Sequence, residues 1–218
     1  MNQSPEFEIL DLGLVIYRNV IPEPDKVIDY INKLDERFLS GEHGTSETSV
    51  RPWEAWSYDV NKFCDKKYIA QAHQISPSDY YATEQQEISE KLHSSLDAAF
   101  KHYSNVLYPF AGKNIKTMEQ STGLLRYVAD GFLPAHSDQG ISSRVLSTVS
   151  YLNDDYVGGE IEFINSGVKV KPEAGSIIFF PSNFLYIHEV YPIISGTRYS
   201  MPQWFHNRKN IVESDGSE

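Results

Sequence analysis

The chain has 218 residues, 40% of them hydrophobic, enough to bury the core of a domain without covalent staples. A formal charge of −11 argues against a protein that works by gripping phosphate backbones, because that binding is driven by clustered Lys and Arg, and the basic clusters here are the short pairs Lys66-Lys67 and Arg208-Lys209. A single cysteine, Cys64, excludes an intramolecular disulfide; Met1 to Val20 does not read as a secretory leader, and no apolar run nears the roughly 20 residues of a membrane span, so a cytoplasmic protein without membrane or nucleic-acid partners is expected.

Phe7 to Val20 alternates loosely around Ile9, Leu12, Leu14, Val15 and Ile16, which predicts one or two strands. Pro22 and Pro24 then lead into Val27, Ile31, Leu34 and Phe38, one apolar stripe on a helix that starts near Pro24. From Ser40 to Tyr81 no period holds. Gly41, Gly44 and the aromatics Trp53, Trp56, Tyr58 and Phe63 predict a long irregular segment, either a substrate-covering loop at a pocket mouth or a plug in the end of a barrel. Thr83 and Gln86 have the spacing of a capping box, and Ile88, Leu92, Leu96, Phe100, Tyr103 and Leu107 continue an amphipathic helix that stops before Pro109.

From Thr117 the period changes to two, and short apolar runs are separated by Gly, Pro, Asn and Asp. Strands are expected at Gly123 to Val128, Val145 to Leu152, Glu160 to Ile164, Val168 to Val170, Ser176 to Phe180, Tyr186 to Val190 and Arg198 to Phe205. Such spacing predicts a sandwich or barrel. Gly158-Gly159 and Pro172 to Gly175 read as turns without chemistry. One domain over 1–218 is expected: an N-terminal region spanning 1–116, a β core 117–206 and a polar tail 207–218.

His136 and Asp138 are two apart, so on an extended segment their side chains leave one face and can bind a single ion. His188 closes a later apolar strand, and Arg198 opens the next one. Two imidazoles and a carboxylate are the ligand set of non-haem Fe(II) sites that keep coordination positions open. Arg198 offers a planar fork of donors that fits a carboxylate bidentately. His43, His73, His93 and His102 have no partner at ligand spacing and read as surface or packing residues, while His206 is left open.

The order His136-x-Asp138, Tyr151-Leu-Asn153, Gly158-Gly159, Pro172…Gly175-Ser-Ile-Ile-Phe-Phe180, His188-Glu-Val-x-Pro192 and Thr197-Arg198-Tyr199 resembles the Fe(II)/2-oxoglutarate-dependent dioxygenases of the prolyl 4-hydroxylase group. His188-Glu-Val-Tyr-Pro-Ile with Thr197-Arg198-Tyr199 is most similar to the oxygen-sensing type. The resemblance covers roughly the C-terminal half. It implies a mainly β fold with supporting α, a double-stranded β-helix (jelly roll) packed against two N-terminal helices. It further implies Fe(II) on His136, Asp138 and His188, 2-oxoglutarate and O2 as co-substrates, and ascorbate as a reductant. By resemblance Arg198 and Tyr151 take the C5 carboxylate of 2-oxoglutarate, and Tyr127 is similar to the family's first pocket tyrosine.

The implied reaction hydroxylates C4 of a prolyl residue in a peptide or protein partner, with succinate and CO2 as co-products. Alternatives are a free amino acid or another small molecule as substrate, or a non-catalytic jelly-roll binding module. Arg144 resembles a substrate-side residue, Trp204 a pocket-lining tryptophan, and Trp53, Trp56 and Tyr58 are the remaining substrate candidates. Pro202 departs from the family pattern, since a proline there implies a strand edge or a bulge that would turn Trp204 off Arg198's face.

Overall fold

The computed structural model describes residues 5–39, 54–56, 70–75, 82–118, 122–139 and 143–207, and the expected tail past Asn207 lies outside them. In chain order, β1 (Phe7–Asp11) and β2 (Leu14–Tyr17) precede α1 (Pro24–Leu39), and β3 (Glu54–Trp56) and β4 (Ala70–Ile75) precede α2 (Ala82–His102). A π-helical turn, Tyr103–Leu107, leads into the short α3 (Pro109–Gly112). The rest is β5 (Ile115–Met118), β6 (Thr122–Tyr127), β7 (Leu133–His136), β8 (Arg144–Tyr151), β9 (Val157–Gly158), β10 (Ile161–Phe163), β11 (Val168–Val170), β12 (Ile177–Pro181), β13 (His188–Val190), β14 (Ile193–Ser195) and β15 (Arg198–Asn207).

These strands form a major sheet in the order β1-β2-β12-β8-β15-β6-β4-β3, with β5 also on β15, and a minor sheet β11-β10-β13-β7. Every pairing in both sheets is antiparallel. Alternation along the major-sheet strands divides their side chains between two cores. Val15, Tyr17, Ile177, Phe179, Met201 and Phe205 pack outward against helix residues such as Val27, Leu92 and Leu96. Leu14, Ile16, Ile178 and Phe180 point inward onto Ile161 and Phe163 of the minor sheet. The Phe163 and Phe180 rings meet edge-on, with centroids 5.0 Å apart. This is the expected jelly roll backed by two helices, and its two sheets face each other across the site.

Three local expectations are revised. The segment Ser40 to Tyr81 is not wholly irregular: β4 pairs along β6 and carries β3 on its far edge, extending the major sheet. The sequence Ala-Gln-Ala-His-Gln-Ile of β4 lacks the apolar alternation that marks a half-buried strand, so its pairing is set by its neighbour. The long helix does not run regularly to Leu107. Its last five residues are π-helical, with Tyr108 N donating to Tyr103 O at 2.8 Å. That widening lets two tyrosines grip one residue of the β1–β2 turn: Tyr103 OH donates to Gly13 O at 2.8 Å, and Gly13 N donates to Tyr108 OH at 2.9 Å.

The third revision concerns Pro202. It lies neither on an edge strand nor at a bulge, because β15 keeps unbroken register with β8 from Ser200 to Phe205 and Pro202 pairs with Val149. On the other flank the pairing with β6 ends at Ser200 and that with β5 begins at Phe205, so among the described residues Pro202 falls in a gap between partners. A residue without an N–H fits there without breaking a ladder bond on that side.

Candidate metal centre

Pairing of β7 with β13 sets His136 directly opposite His188, and the two rings stand with centroids 4.3 Å apart. Asp138 follows two residues after the end of β7, with its Oδ1 3.3 Å from His136 Nε2. One ligand atom from each of the three residues lies within 4.8 Å of the others. Each imidazole is oriented by its second nitrogen: His136 Nδ1 meets Pro134 O at 2.8 Å, and His188 Nδ1 meets Tyr186 O at 3.1 Å. A carbonyl oxygen only accepts, so Nδ1 is the donor in each of these contacts and Nε2 is left for the cluster.

Electrostatics prepare the same atoms. Burial pushes the His188 imidazole down to about 4, so it is neutral at physiological pH. Burial alone would raise the Asp138 carboxyl. The neighbouring His188 and His136 and a hydrogen bond from Ser147 outweigh it and hold the group ionised, well below the usual range. Ser147 Oγ is also 2.8 Å from Ser182 Oγ, deep in the protein. Two imidazoles and one carboxylate with their ligand atoms gathered this closely suit a divalent transition metal.

Beside this cluster lies a buried cation. Arg198, at the start of β15, is 1% exposed, and among the described residues no carboxylate pairs with it. Its guanidinium carbon sits 4.9 Å from the Tyr127 ring centroid and 4.8 Å from that of Tyr151. Nη1 donates to Gly159 O at 3.3 Å, while Nε has no partner among the described residues. The Tyr151 hydroxyl is likewise buried and unpartnered among them. Burial keeps the Tyr127 and Tyr151 hydroxyls protonated, although Arg198 pulls the other way. A charge and the Tyr151 hydroxyl held out of water need an acceptor, since an uncompensated buried polar group is costly.

The backbone explains how Arg198 is aimed. Tyr127 and Arg198 are direct partners across β6 and β15, which fixes the register of Tyr127. Asn153 clamps the end of β8 to the start of β15: Nδ2 donates to Thr197 O at 2.7 Å, and Oδ1 accepts from Tyr199 N at 2.8 Å. Gly159 has φ +69°, and an added Cβ there would lie 2.4 Å from Ile193 Cδ1. The Gly-Gly turn therefore has a consequence for the site that was not expected, because it delivers the carbonyl that Arg198 uses.

Trp204 lies on the same face of β15 as Arg198, opposite Ser147, because no bulge intervenes. The Arg144 guanidinium stacks over it, 3.7 Å from the ring centroid. Trp53 and Tyr58 lie outside the described residues, as do Cys64 and His43; Trp56 and His73 fall on β3 and β4. His102 packs as expected, with Nδ1 3.0 Å from Tyr17 OH, and His206 meets Ser143 Oγ at 2.8 Å. Sequence reasoning missed Ser147, Ser182 and Tyr156. The first two are small residues inside apolar runs, and a buried hydroxyl there was the available signal. Tyr156 sits in an Asp-Asp-Tyr-Val-Gly-Gly turn, where nothing marks it as buried.

Residues 122–206 match the family model described as the 2OG-Fe(II) oxygenase superfamily. This stretch is a 2OG-Fe(II) oxygenase domain. A PKHD-type hydroxylase of Prochlorococcus marinus (strain MIT 9215) is 39% identical over 72 residues, 31% of this chain and 32% of that protein, so the match spans about a third of the relative. Among solved structures, a Pseudomonas putida prolyl-4-hydroxylase superposes with TM-score 0.56 at 22% identity, covering 90% of this chain and 93% of that one. A Trichoplax adhaerens prolyl hydroxylase in complex with a hypoxia inducible factor peptide fragment does so with TM-score 0.66 at 19% identity, covering 90% and 84%. At these identities the structures attest the fold.

The motif resemblance and the jelly roll are both borne out. The domain class implies Fe(II), 2-oxoglutarate and O2, and the residues fit them. The His-Asp-His cluster matches the metal in donor type, and the Arg198 Nε and Tyr151 hydroxyl, without partners among the described residues, match a carboxylate. No helix among the described residues is long and apolar enough to cross a membrane.

Proposed function

We propose that this protein hydroxylates C4 of a prolyl residue in a peptide or protein, with 2-oxoglutarate converted to succinate and CO2. The observation that carries the reading is the buried Arg198, with no carboxylate partner among the described residues, beside His136, a neutral His188 and an ionised Asp138. His136, Asp138 and His188 would hold Fe(II), and Arg198 with Tyr151 would hold the C5 carboxylate of 2-oxoglutarate. The metal, when bound, supplies activation of O2 for insertion into an unactivated C–H bond, and ascorbate serves as its reductant.

This chain's residues do the rest. Arg198 and Tyr151 fix the far end of the co-substrate. Tyr127 lies over Arg198 and within electrostatic reach of Asp138, so it walls the path between clamp and metal. The inner aromatic layer of Phe163 and Phe180 covers His188 and keeps water from its back side. Arg144 stacked on Trp204 forms a partly exposed platform beside the metal ligands, suited to an extended peptide. A prolyl substrate is favoured because the structural neighbours are prolyl hydroxylases, one of them in complex with a peptide.

The test is succinate formation from 2-oxoglutarate with added Fe(II), in the wild type and in His188→Ala. Turnover in the wild type and its loss in the variant are expected, and equal rates would end the assignment. Mass spectrometry of proline-containing peptides should show a gain of one oxygen. Oxidation of free proline with peptides untouched would move the substrate to a small molecule.

A further inference from the structure

Tyr156 has no place in the reading above, yet its environment is as constrained as that of Tyr151. It lies between β8 and β9, is 2% exposed, and stands next to Val157, which is 53% exposed. Its ring is held from several sides. Lys171 Nζ lies 4.5 Å from the ring centroid and also donates to the Tyr156 carbonyl. Val190, Ile193 and Tyr127 share its apolar cluster. An added Cβ on Gly159 would come within 3.0 Å of Tyr156 Cε2, so the ring packs directly against the residue whose carbonyl accepts from Arg198 Nη1.

At the end of this fixed ring is a buried hydroxyl with no partner among the described residues. A phenylalanine would fill the same space without the penalty of an unsatisfied hydroxyl. The Tyr151 hydroxyl and Arg198 Nε, two further buried donors without a partner among the described residues, both lie within electrostatic reach of Tyr156. Burial keeps the Tyr156 hydroxyl protonated, hence a donor. Through Gly159 the Tyr156 ring is placed beside the guanidinium for which the proposed function needs one carboxylate, and a carboxylate offers about four lone-pair sites.

We infer that Tyr156 is a third ligand of the carboxylate held by Arg198 and Tyr151, closing a cage that accepts a charged, two-oxygen end and rejects an uncharged one. The inference rests on the 2-oxoglutarate reading of the site. An ester or amide at the same position presents fewer acceptors and leaves at least one donor unpaired in a desolvated pocket, which is how a polar site rejects an analogue strongly.

The experiment is isothermal titration of the whole chain loaded with Mn(II), using 2-oxoglutarate and its C5 methyl ester, for the wild type and Tyr156→Phe. Melting of the ligand-free proteins accompanies it. Tyr156→Phe should weaken 2-oxoglutarate binding about tenfold or more. The ester, which binds the wild type weakly, should change less than about threefold. The ligand-free variant should melt at the wild-type temperature or above, because an orphaned hydroxyl has been removed. Binding of 2-oxoglutarate within about twofold of the wild type would overturn the role of Tyr156 while leaving the co-substrate reading intact. So would a lower melting temperature with equal losses for both ligands, the signature of a packing role. A wild type that binds neither ligand would overturn the co-substrate reading itself.

Discussion

Arg198→Met separates the two states of the clamp. In the ligand-free protein the guanidinium is out of water with no counter-ion among the described residues, at a cost of roughly several kcal/mol after relaxation. Opposing that are two tyrosine faces, about 0.5–2 kcal/mol each, and one charged hydrogen bond to Gly159, about 1.5–3 kcal/mol. These terms nearly cancel, so a methionine of similar length should leave ligand-free stability within about 1 kcal/mol of the wild type, or raise it. Binding responds differently. Losing one partner of a buried, hydrogen-bonded charge pair costs about 2–5 kcal/mol, so the dissociation constant for 2-oxoglutarate should rise by at least about 30-fold. Urea denaturation of the metal-free protein and titration of the Mn(II)-loaded protein measure the two quantities. A dissociation constant changed less than about threefold would refute the clamp, and a ligand-free destabilisation above about 3 kcal/mol would show that the arginine is held by contacts other than those described.

Other expected outcomes follow from single contacts. Ser147→Ala removes the hydroxyl that bonds Asp138 and should weaken Mn(II) or Co(II) affinity by about 10–100-fold in titration. Gly158→Ala should destabilise more than Gly159→Ala in chemical denaturation. Both have positive φ, but a Cβ on Gly158 would meet the backbone oxygen of Pro192 at 2.3 Å, whereas one on Gly159 would meet the movable end of Ile193. Leu96→Ala, in the core between α2 and the major sheet, should cost about 2–5 kcal/mol of stability while metal affinity measured on the folded protein stays unchanged.

The features of the site carried by motifs were legible because their chemistry depends on residue type and order. His136-x-Asp138 needs only an extended backbone to share a face, and Arg198 only a strand start. What was not legible depended on tertiary pairing. Leu133–His136 is a four-residue strand with a proline inside it, and it exists because His136 pairs with His188 across the minor sheet. The fate of Pro202 turned on which of its flanks had a partner, which no local pattern states. Strand β2 is buried at all four positions because both its faces are covered, so alternation there was weak in the sequence. Tyr156 was invisible for a related reason, since its burial comes largely from Lys171, Val190 and Ile193, far from it in the chain.

Strand β15 shows how the two halves of the chain depend on each other. Its odd positions, Tyr199, Met201 and Phe205, belong to the core under the helices, and Phe205 stacks on Phe100 of α2 with centroids 4.4 Å apart. Its even positions include Arg198 and Trp204, which face the site. A strand pinned on one face by large apolar contacts cannot slip by one residue without burying a charge among leucines and exposing phenylalanine, so its register is strongly specified. The N-terminal helices therefore contribute to co-substrate binding without touching it. They fix the strand on which the guanidinium stands, and Asn153 fixes that strand's first residues against β8. Rigidity of this kind lowers the cost of gathering a cation and its surrounding hydroxyls around one carboxylate, because the groups are already ordered before the ligand arrives.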